Sequence, residues 1–269
     1  MSIITISRGS YSRGREVAEK VAQRLGYACI ARDVLVEASK DFNIPEIKLV
    51  RAVHDAPSIL DRFGYGKEKY VAYIQKALLH HFQKDNVVYH GLAGHFFLKG
   101  ISHVLKVRIL AEMEDRVKFE MERHGIAERE ARRILEHDDE ERRKWSQYLY
   151  GIDTRDPKLY DLVIHIKKIS VDDAVDIICN TMGLADFQTT PESQKAMDDL
   201  LLAAEVKASL IGLKPDIEVV AKDGIVHIAT TIPEAQEEIL VRKIHEGLKE
   251  IQGVRDIKVH TRSSVPYGD

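Results

Sequence analysis

Cysteine, long apolar runs and surplus positive charge are all scarce in this sequence. Of 269 residues only two are cysteine, Cys29 and Cys179, so neither a disulfide framework nor a cysteine-based zinc site is predicted. No stretch approaches the roughly 18 consecutive apolar residues of a membrane-spanning helix, and the N terminus has the pattern of a strand rather than of an export signal. A formal net charge of −3 disfavours a protein that wraps nucleic-acid backbone. We therefore expect a cytoplasmic protein with no transmembrane segment and no nucleic-acid partner.

The chain begins with a pattern of strand, small-residue turn and helix. Residues 3–7 are mostly β-branched, and Val17, Val21 and Leu25 recur at helical spacing before Gly26, where a helix would stop. A helix that begins directly after a buried strand points backbone N–H groups and the positive end of its dipole at the turn. This arrangement favours an anion, and phosphate is the first candidate.

The turn itself is a degenerate version of a phosphate-binding motif. Gly9 and Gly14 stand at the two glycine positions of G-x-x-x-x-G-K-[ST], whereas Arg15 replaces the lysine and Glu16 replaces the hydroxyl that binds magnesium. Arginine is bulkier than lysine and contacts phosphate with a planar fork, so the exchange alters the chemistry of the position. The alternative is a strand–helix turn that needs glycine only for its backbone angles.

Downstream, short apolar strands alternate with helical patterns. The predicted order begins β, α, β, α, α, β, α, β and continues with a fifth strand at 162–166 and a helix at 171–182. Such alternation predicts an α/β domain with a five-stranded parallel sheet and helices on both faces. We place this domain at 1–185 and a polar linker at 186–194.

The C-terminal part, at 195–262 with a tail at 263–269, follows a different pattern. A helix is followed by two strands, a second helix and a third strand. Asp223-Gly224 separates the first two strands and predicts a tight hairpin. The pattern predicts a small α+β domain in which two helices cover one face of a sheet.

The segment 113–150 is helical in character and rich in charge. Arg116 follows the fourth predicted strand, and Asp139 and Arg142 lie three residues apart on one helix face. The carboxylate can therefore orient the guanidinium toward developing negative charge. The alternative for this pair is a solvated surface ion pair with little energetic effect.

Taken together, the motifs of the first domain resemble the cytidylate kinase-like family over about residues 1–183. The motifs that carry the resemblance are Ser7-Arg8, Ser12-Arg13-Gly14-Arg15-Glu16, Arg32-Asp33, the Val-Val strand that ends at Gly91, Asp139-x-x-Arg142 and Leu159-Tyr160-Asp161-Leu162-Val163-Ile164. The resemblance implies a P-loop nucleoside monophosphate kinase-like fold. It also implies transfer of the ATP γ-phosphate to a (d)CMP-like nucleotide, with Mg²⁺ as the accompanying ion. Such a reaction depends on positioning and charge neutralisation more than on covalent catalysis.

The resemblance also implies roles for individual residues. The donor-phosphate loop would comprise Gly9, Ser10, Ser12, Arg13, Gly14, Arg15 and Glu16. The residues implied at the acceptor nucleotide are Arg32, Asp33, His90 and Arg132. The residues implied in catalysis are Arg15, Arg116, Asp139 and Arg142. Asp33 has a second interpretation as the cap of the helix it begins. His90-Gly91 stands where relatives often carry Gly-Arg after the third strand, and no protein ligand for a metal is predicted.

The C-terminal domain resembles a BON domain between Lys195 and Thr261, with residues 219–228 as the hairpin and 251–257 as the closing motif. This resemblance implies binding to a protein or phospholipid partner. Two alternatives to an active kinase remain: a nucleotide or phosphate sensor whose loop has lost turnover, and a purely structural pair of domains.

Overall fold

The computed structural model describes residues 2–9, 12–31, 66–91 and 94–263. Ser10, Arg32, Asp33 and the end of the predicted tail lie outside these residues. The larger sheet has five strands in the order β2-β3-β1-β4-β5, and every neighbouring pair is parallel. The strands are β1 (Ile3–Arg8), β2 (Ala28–Ile30), β3 (Val87–His90), β4 (Val104–Ala111) and β5 (Leu162–Ile166). The predicted five-stranded parallel core is confirmed.

Helices cover both faces of this sheet. In chain order, the helices of the described residues are α1 (Gly14–Leu25), α2 (Gly66–Phe82), α3 (Met113–His124), α4 (Glu128–Tyr150), α5 (Val171–Met182), α6 (Pro191–Leu210) and α7 (Glu237–Leu248), of which α7 packs in the core of a second, smaller sheet. Short 3₁₀ segments occupy Gly94–Leu98, Pro157–Leu159, Ala185–Phe187 and Glu234–Gln236. None of the helices in the described ranges combines the length and the apolar character that a bilayer crossing requires.

The central strand β1 is buried on both sides because it lies between two helical layers. Ile4 and Ile6 pack in the core that contains α1 and α5, whereas Ile3 packs in the core that contains α2 and Trp145 of α4. Alternation along a strand therefore assigns each residue to one of two layers. We call these the α1 face and the α2 face of the sheet.

A second sheet has three strands, β6 (Glu218–Lys222), β7 (Ile225–Ile232) and β8 (Asp256–Ser263), in that order. β6 and β7 are antiparallel, and β7 and β8 are parallel. Asp223 and Gly224 connect the hairpin with φ angles of 56° and 79°, as a two-residue type I′ turn requires. The predicted small α+β unit and its hairpin are confirmed.

Helix α6 belongs to both hydrophobic cores. Met197, Leu201 and Ala204 pack in the core of the larger sheet, while Val206 and Leu210 pack in the core of the smaller one. A helix that is apolar on opposite sides can hold two sheets together because neither core is closed without it.

The predicted linker lies against the first domain. Thr189 Oγ1 donates to Asp85 Oδ2 at 2.6 Å. Ser193 Oγ lies 2.8 Å from Nδ1 of the buried His103, and Thr190 caps the first turn of α6. Side chains at 189–193 are therefore ordered by contacts with the larger domain.

Candidate functional site

The loop between β1 and α1 lies at the carboxyl edge of the larger sheet. A Cβ atom on Gly14 would lie 2.7 Å from Cβ of Arg8, so glycine is required for α1 to begin this close to the end of β1. Ser12 Oγ donates to the carbonyl oxygen of Gly9 at 3.1 Å and ties the loop across its base. Arg13 occupies the N-cap of α1 in a left-handed conformation, with no side-chain cap. The start of α1 is therefore open to an anion.

The charged side chains of the loop pair with one another along α1. Arg13 binds Glu16 through two hydrogen bonds of 2.9 and 3.1 Å. Arg15 Nε donates to Glu19 Oε1 at 2.7 Å, and its side chain is 70% exposed. This hydrogen bond to Glu19 raises the pKa of Arg15. In this arrangement Arg15 points along the outer surface of the helix. To contact phosphate as the lysine of the motif does, Arg15 would have to break its hydrogen bond with Glu19.

Two of the predicted catalytic residues meet next to Gly9. Arg116 Nη2, on α3, lies 2.8 Å from Asp139 Oδ2, on α4, and the Arg116 side chain is only 8% exposed. Asp139 Oδ1 lies 3.9 Å from the position that a Cβ atom would take on Gly9. The sequence predicts that Asp139 orients Arg142, and the structure shows in addition an ion pair of Asp139 with Arg116. The charged helices α3 and α4 thus bring a paired arginine to the phosphate loop.

Arg142 lies near the end of β3. Burial raises the pKa of Tyr89, and the nearby positive charges of Arg8 and Arg142 oppose that rise. The backbone at Gly91 and at Gly94 packs directly against the Tyr89 side chain, because a Cβ atom at either glycine would lie 2.4 Å from it. Arg8 and Arg142 are therefore close to one buried phenol at the carboxyl edge of the sheet.

His90 and Arg132 occupy different surroundings. The buried His90 is opposite Ile6 in the pairing of β3 with β1, and strand alternation places it on the α1 face, away from Tyr89. Arg132 Nη2 lies 3.8 Å from Glu114 and 3.7 Å from Glu128, where it links the beginnings of α3 and α4.

A polar network on the α2 face was not predicted. Tyr160 Oη lies 3.2 Å from Ser7 Oγ and 2.9 Å from the carbonyl oxygen of Thr154. Arg108 donates to the same carbonyl and lies 3.1 Å from Tyr160 Oη. The signal in the sequence was the alternation of polar side chains on two otherwise apolar strands: Thr5 and Ser7 on β1, and Lys106 and Arg108 on β4.

The ring of His95 packs against the ring of Tyr160 in this network. Its ring centroid lies 5.0 Å from that of Tyr160. Burial, aided by the charges of Lys106 and Arg108, lowers the pKa of His95 to about 4. His95 is therefore neutral near pH 7. Within the described ranges, His95 Nε2 and Thr5 Oγ1 are buried without a hydrogen-bond partner.

The chain is similar to characterised and solved proteins. It is 35% identical over 106 residues to the cytidylate kinase of Methanosarcina acetivorans and 33% identical over 107 residues to that of Methanosarcina mazei. Each match covers 39% of this chain and 57% of the relative, so the chain spans little more than half the length of these curated relatives.

Among solved structures, the crystal structure of an uncharacterized protein from Eubacterium ventriosum superposes with a TM-score of 0.50 at 22% identity, covering 68% of this chain and 98% of that one. This likeness concerns the fold. The model of the cytidylate kinase-like family matches residues 3–168, more than half of the sequence, and the chain therefore belongs to the cytidylate kinase-like family.

Proposed function

We propose that the protein transfers the γ-phosphoryl group of ATP to a nucleoside monophosphate of the (d)CMP type. The observation that carries the proposal is the meeting of the Arg116–Asp139 pair with Gly9 at the open N terminus of α1. Membership of the cytidylate kinase-like family supports the same reaction. Phosphoryl transfer requires donors around the phosphates and positive charge around the transferred group, and both are present at this edge of the sheet.

The backbone at the start of α1 suits the donor phosphates. Arg13 provides no side-chain cap, so the first N–H groups of the helix are available to an anion. Glu16 brings a negative charge to the same turn, but Arg13 and Lys20 both pair with it. The loop residues therefore fit a polyphosphate, with Arg15 free to join after exchanging Glu19 for phosphate.

Magnesium would enter with the nucleotide. Mg²⁺ retains several waters and uses one or two carboxylates besides phosphate oxygens. Glu16 is paired with Arg13 and Lys20, and Asp139 with Arg116, so no carboxylate of the described loop region is assigned to the ion, which phosphate oxygens and water would hold. When bound, the ion would neutralise charge on the phosphates.

The arginines would act on the transferred group. The buried Arg116 is held by Asp139, and a guanidinium fixed in a site of low dielectric stabilises developing charge without reorganising. Arg142 would contribute a second positive charge from the same helix as Asp139. Arg132 would act indirectly. Its observed partners lie on α3 and α4, so it would help to fix the position of α4 relative to α3.

The acceptor nucleotide would lie on the α2 face. Ser7, Arg108 and Tyr160 form the polar network there, and His95 supplies a neutral imidazole beside it. Arg32 and Asp33, which lie outside the described residues, would complete the acceptor contacts, whereas His90 lies on the α1 face and would not contact an acceptor there.

A second function is favoured by the loop chemistry. Arg15 is directed at Glu19, and Arg13 and Glu16 pair across the first turn of α1. These contacts would suit a sensor that binds nucleotide without turnover. Its BON-like C-terminal domain, proposed for residues 195–262 from the α-β-β-α-β order, would then bind a protein or phospholipid partner.

The experiment that separates the two functions is an ADP-release assay with Mg-ATP and each of CMP, dCMP, UMP, AMP and GMP. Turnover that is fastest with CMP or dCMP supports the kinase. No turnover with any acceptor, together with thermal stabilisation by nucleotide, supports the sensor.

A further inference from the structure

The open face of the smaller sheet carries a pair of histidines. Val226 and Ile228 of β7 are fully buried in the core that α6 and α7 close. His227, between them, therefore faces the opposite side of the sheet. In the pairing of β7 with β8, His227 is opposite Lys258 and Ala229 is opposite His260. His227 and His260 are thus diagonal neighbours on one face.

Their ring nitrogens are in contact. Nδ1 of His227 lies 3.1 Å from Nε2 of His260, and the two rings are within 3° of parallel. At this distance one nitrogen donates its proton to the lone pair of the other, so at least one of the two nitrogens is an unprotonated acceptor. If a metal ion takes the place of the proton between them, both nitrogens can present a lone pair to that ion.

The same separation suits two ligands of one metal ion. With metal–nitrogen bonds of about 2.0–2.1 Å, an ion equidistant from both nitrogens would subtend an angle of about 100° between them. This value lies between the angles of square-planar and tetrahedral coordination. Each ring would turn by about 40° from the line that joins the two nitrogens to direct its lone pair at the ion.

We propose that His227 and His260 bind a divalent transition-metal ion, with Cu²⁺ bound most tightly. Neutral imidazole is a ligand for Cu²⁺, Ni²⁺ and Zn²⁺, and affinity for nitrogen sites rises to Cu²⁺ along the first-row series. Mg²⁺ and Ca²⁺ require oxygen ligands and do not bind such a pair. Binding requires the donor imidazole to carry its proton on its other ring nitrogen, so that both facing nitrogens offer a lone pair, and water fills the remaining positions on the ion.

The charges on this face set the expected strength of binding. Lys258 and Arg262 lie in the same row of β8 as His260 and oppose a dication, while Glu218, opposite Ala229 on β6, favours it. All of these side chains are exposed, so water screens them. Two protein ligands and this balance of charge predict weaker binding than at a closed site with four ligands.

The test is a Cu²⁺ titration of the full chain, prepared without a histidine tag and treated with a chelator. We expect one ion per chain and an electron paramagnetic resonance spectrum split by two imidazole nitrogens. His227→Gln and His260→Gln should each weaken binding at least tenfold. His245→Gln, which removes an exposed histidine of α7, serves as the matched control and should bind like the parent.

Two further measurements complete the test. Mg²⁺ should not compete for the site, because it requires oxygen ligands. Parent-like Cu²⁺ affinity in either glutamine variant, or a parent spectrum with fewer than two nitrogen donors, would overturn the proposal. Circular dichroism without metal checks that each variant is folded. If a variant does not fold, the number of nitrogen donors in the electron paramagnetic resonance spectrum of the parent decides the question.

Discussion

Arg116 and Asp139 form an ion pair of 2.8 Å between two helices, next to Gly9, which directly follows the first strand. A guanidinium with only 8% exposure has lost most of its water, so its orientation depends on the carboxylate. Because the pair lies beside the phosphate loop, the folding of α3 against α4 also sets the position of positive charge in the proposed active site.

The first prediction concerns this pair. Arg116→Ala should reduce kcat by about 100-fold or more, because phosphoryl-transfer arginines contribute up to about 10³ to 10⁵ in rate. Asp139→Asn keeps the shape of the side chain but removes its charge, so kcat should fall by a smaller factor. Steady-state kinetics with Mg-ATP measures both, and Arg129→Ala, which changes an exposed residue of α4, is the control. Parent-like kcat in an active Arg116→Ala enzyme would remove Arg116 from the mechanism.

Arg142 is tested separately because its charge lies near Tyr89. If its contact strengthens in the transition state, Arg142→Ala should lower kcat on the order of 100-fold while KM changes little. A change confined to KM would instead assign Arg142 to ground-state binding. The same assay and the same Arg129→Ala control apply.

Arg15 distinguishes a working phosphate loop from a structural turn. If Arg15 exchanges Glu19 for phosphate, Arg15→Ala should weaken ATP binding by roughly 1.5 to 3 kcal/mol, the range for a charge-assisted hydrogen bond. Glu19→Ala frees Arg15 and should leave ATP binding unchanged or slightly tighter. Calorimetry measures both affinities, and equal affinity in Arg15→Ala and the parent would show that Arg15 does not contact the phosphates.

Local and tertiary features of this chain differ in how far the sequence predicts them. The Asp223-Gly224 turn was predictable because Asp-Gly is a residue pair that accepts the two positive φ angles of a tight hairpin. The larger sheet was predictable because its strands are short apolar runs bounded by turns. The second helix of the C-terminal part is predicted without exact bounds, and in the structure α7 runs from Glu237 to Leu248 after a 3₁₀ turn. Capping and 3₁₀ geometry at helix ends are decided by packing and shift such boundaries.

The contact of Asp139 with Arg116 was not predictable for a related reason. Helical spacing favours Arg142, three residues away, whereas Arg116 lies on another helix and reaches Asp139 only because α3 folds back on α4. The Ser7–Tyr160 contact joins residues 153 positions apart. Spacing rules describe neighbours within one element, so contacts of this kind require the tertiary fold.

The domain boundary gives a further prediction. The sequence places it at residue 185, but Met197 and Leu201 of α6 are buried in the core of the larger sheet. A chain that ends at Ala185 should therefore unfold at lower temperature than the parent or aggregate, since it exposes the apolar surface of α2. A chain that ends at Gly212 retains α6 and should recover much of the loss. Equal melting temperatures for the chain ending at Ala185 and the full chain would support the boundary at 185.

The last prediction uses the buried histidine of the α2 face. The pKa of His95 is lowered to about 4 in the folded protein, compared with about 6.5 in an unfolded chain. Between these values the unfolded chain binds a proton that the folded protein does not, so the stability from neutral His95 is complete above about pH 6.5 and is lost progressively as the pH falls to about 4. A shift of this size corresponds to roughly 3 kcal/mol at most. Denaturant unfolding from pH 7 to pH 4 should show this decline, and His95→Gln should flatten it, whereas His245→Gln, on the exposed side of α7, should leave the slope unchanged. An identical pH slope in His95→Gln and the parent would mean that other groups cause the decline.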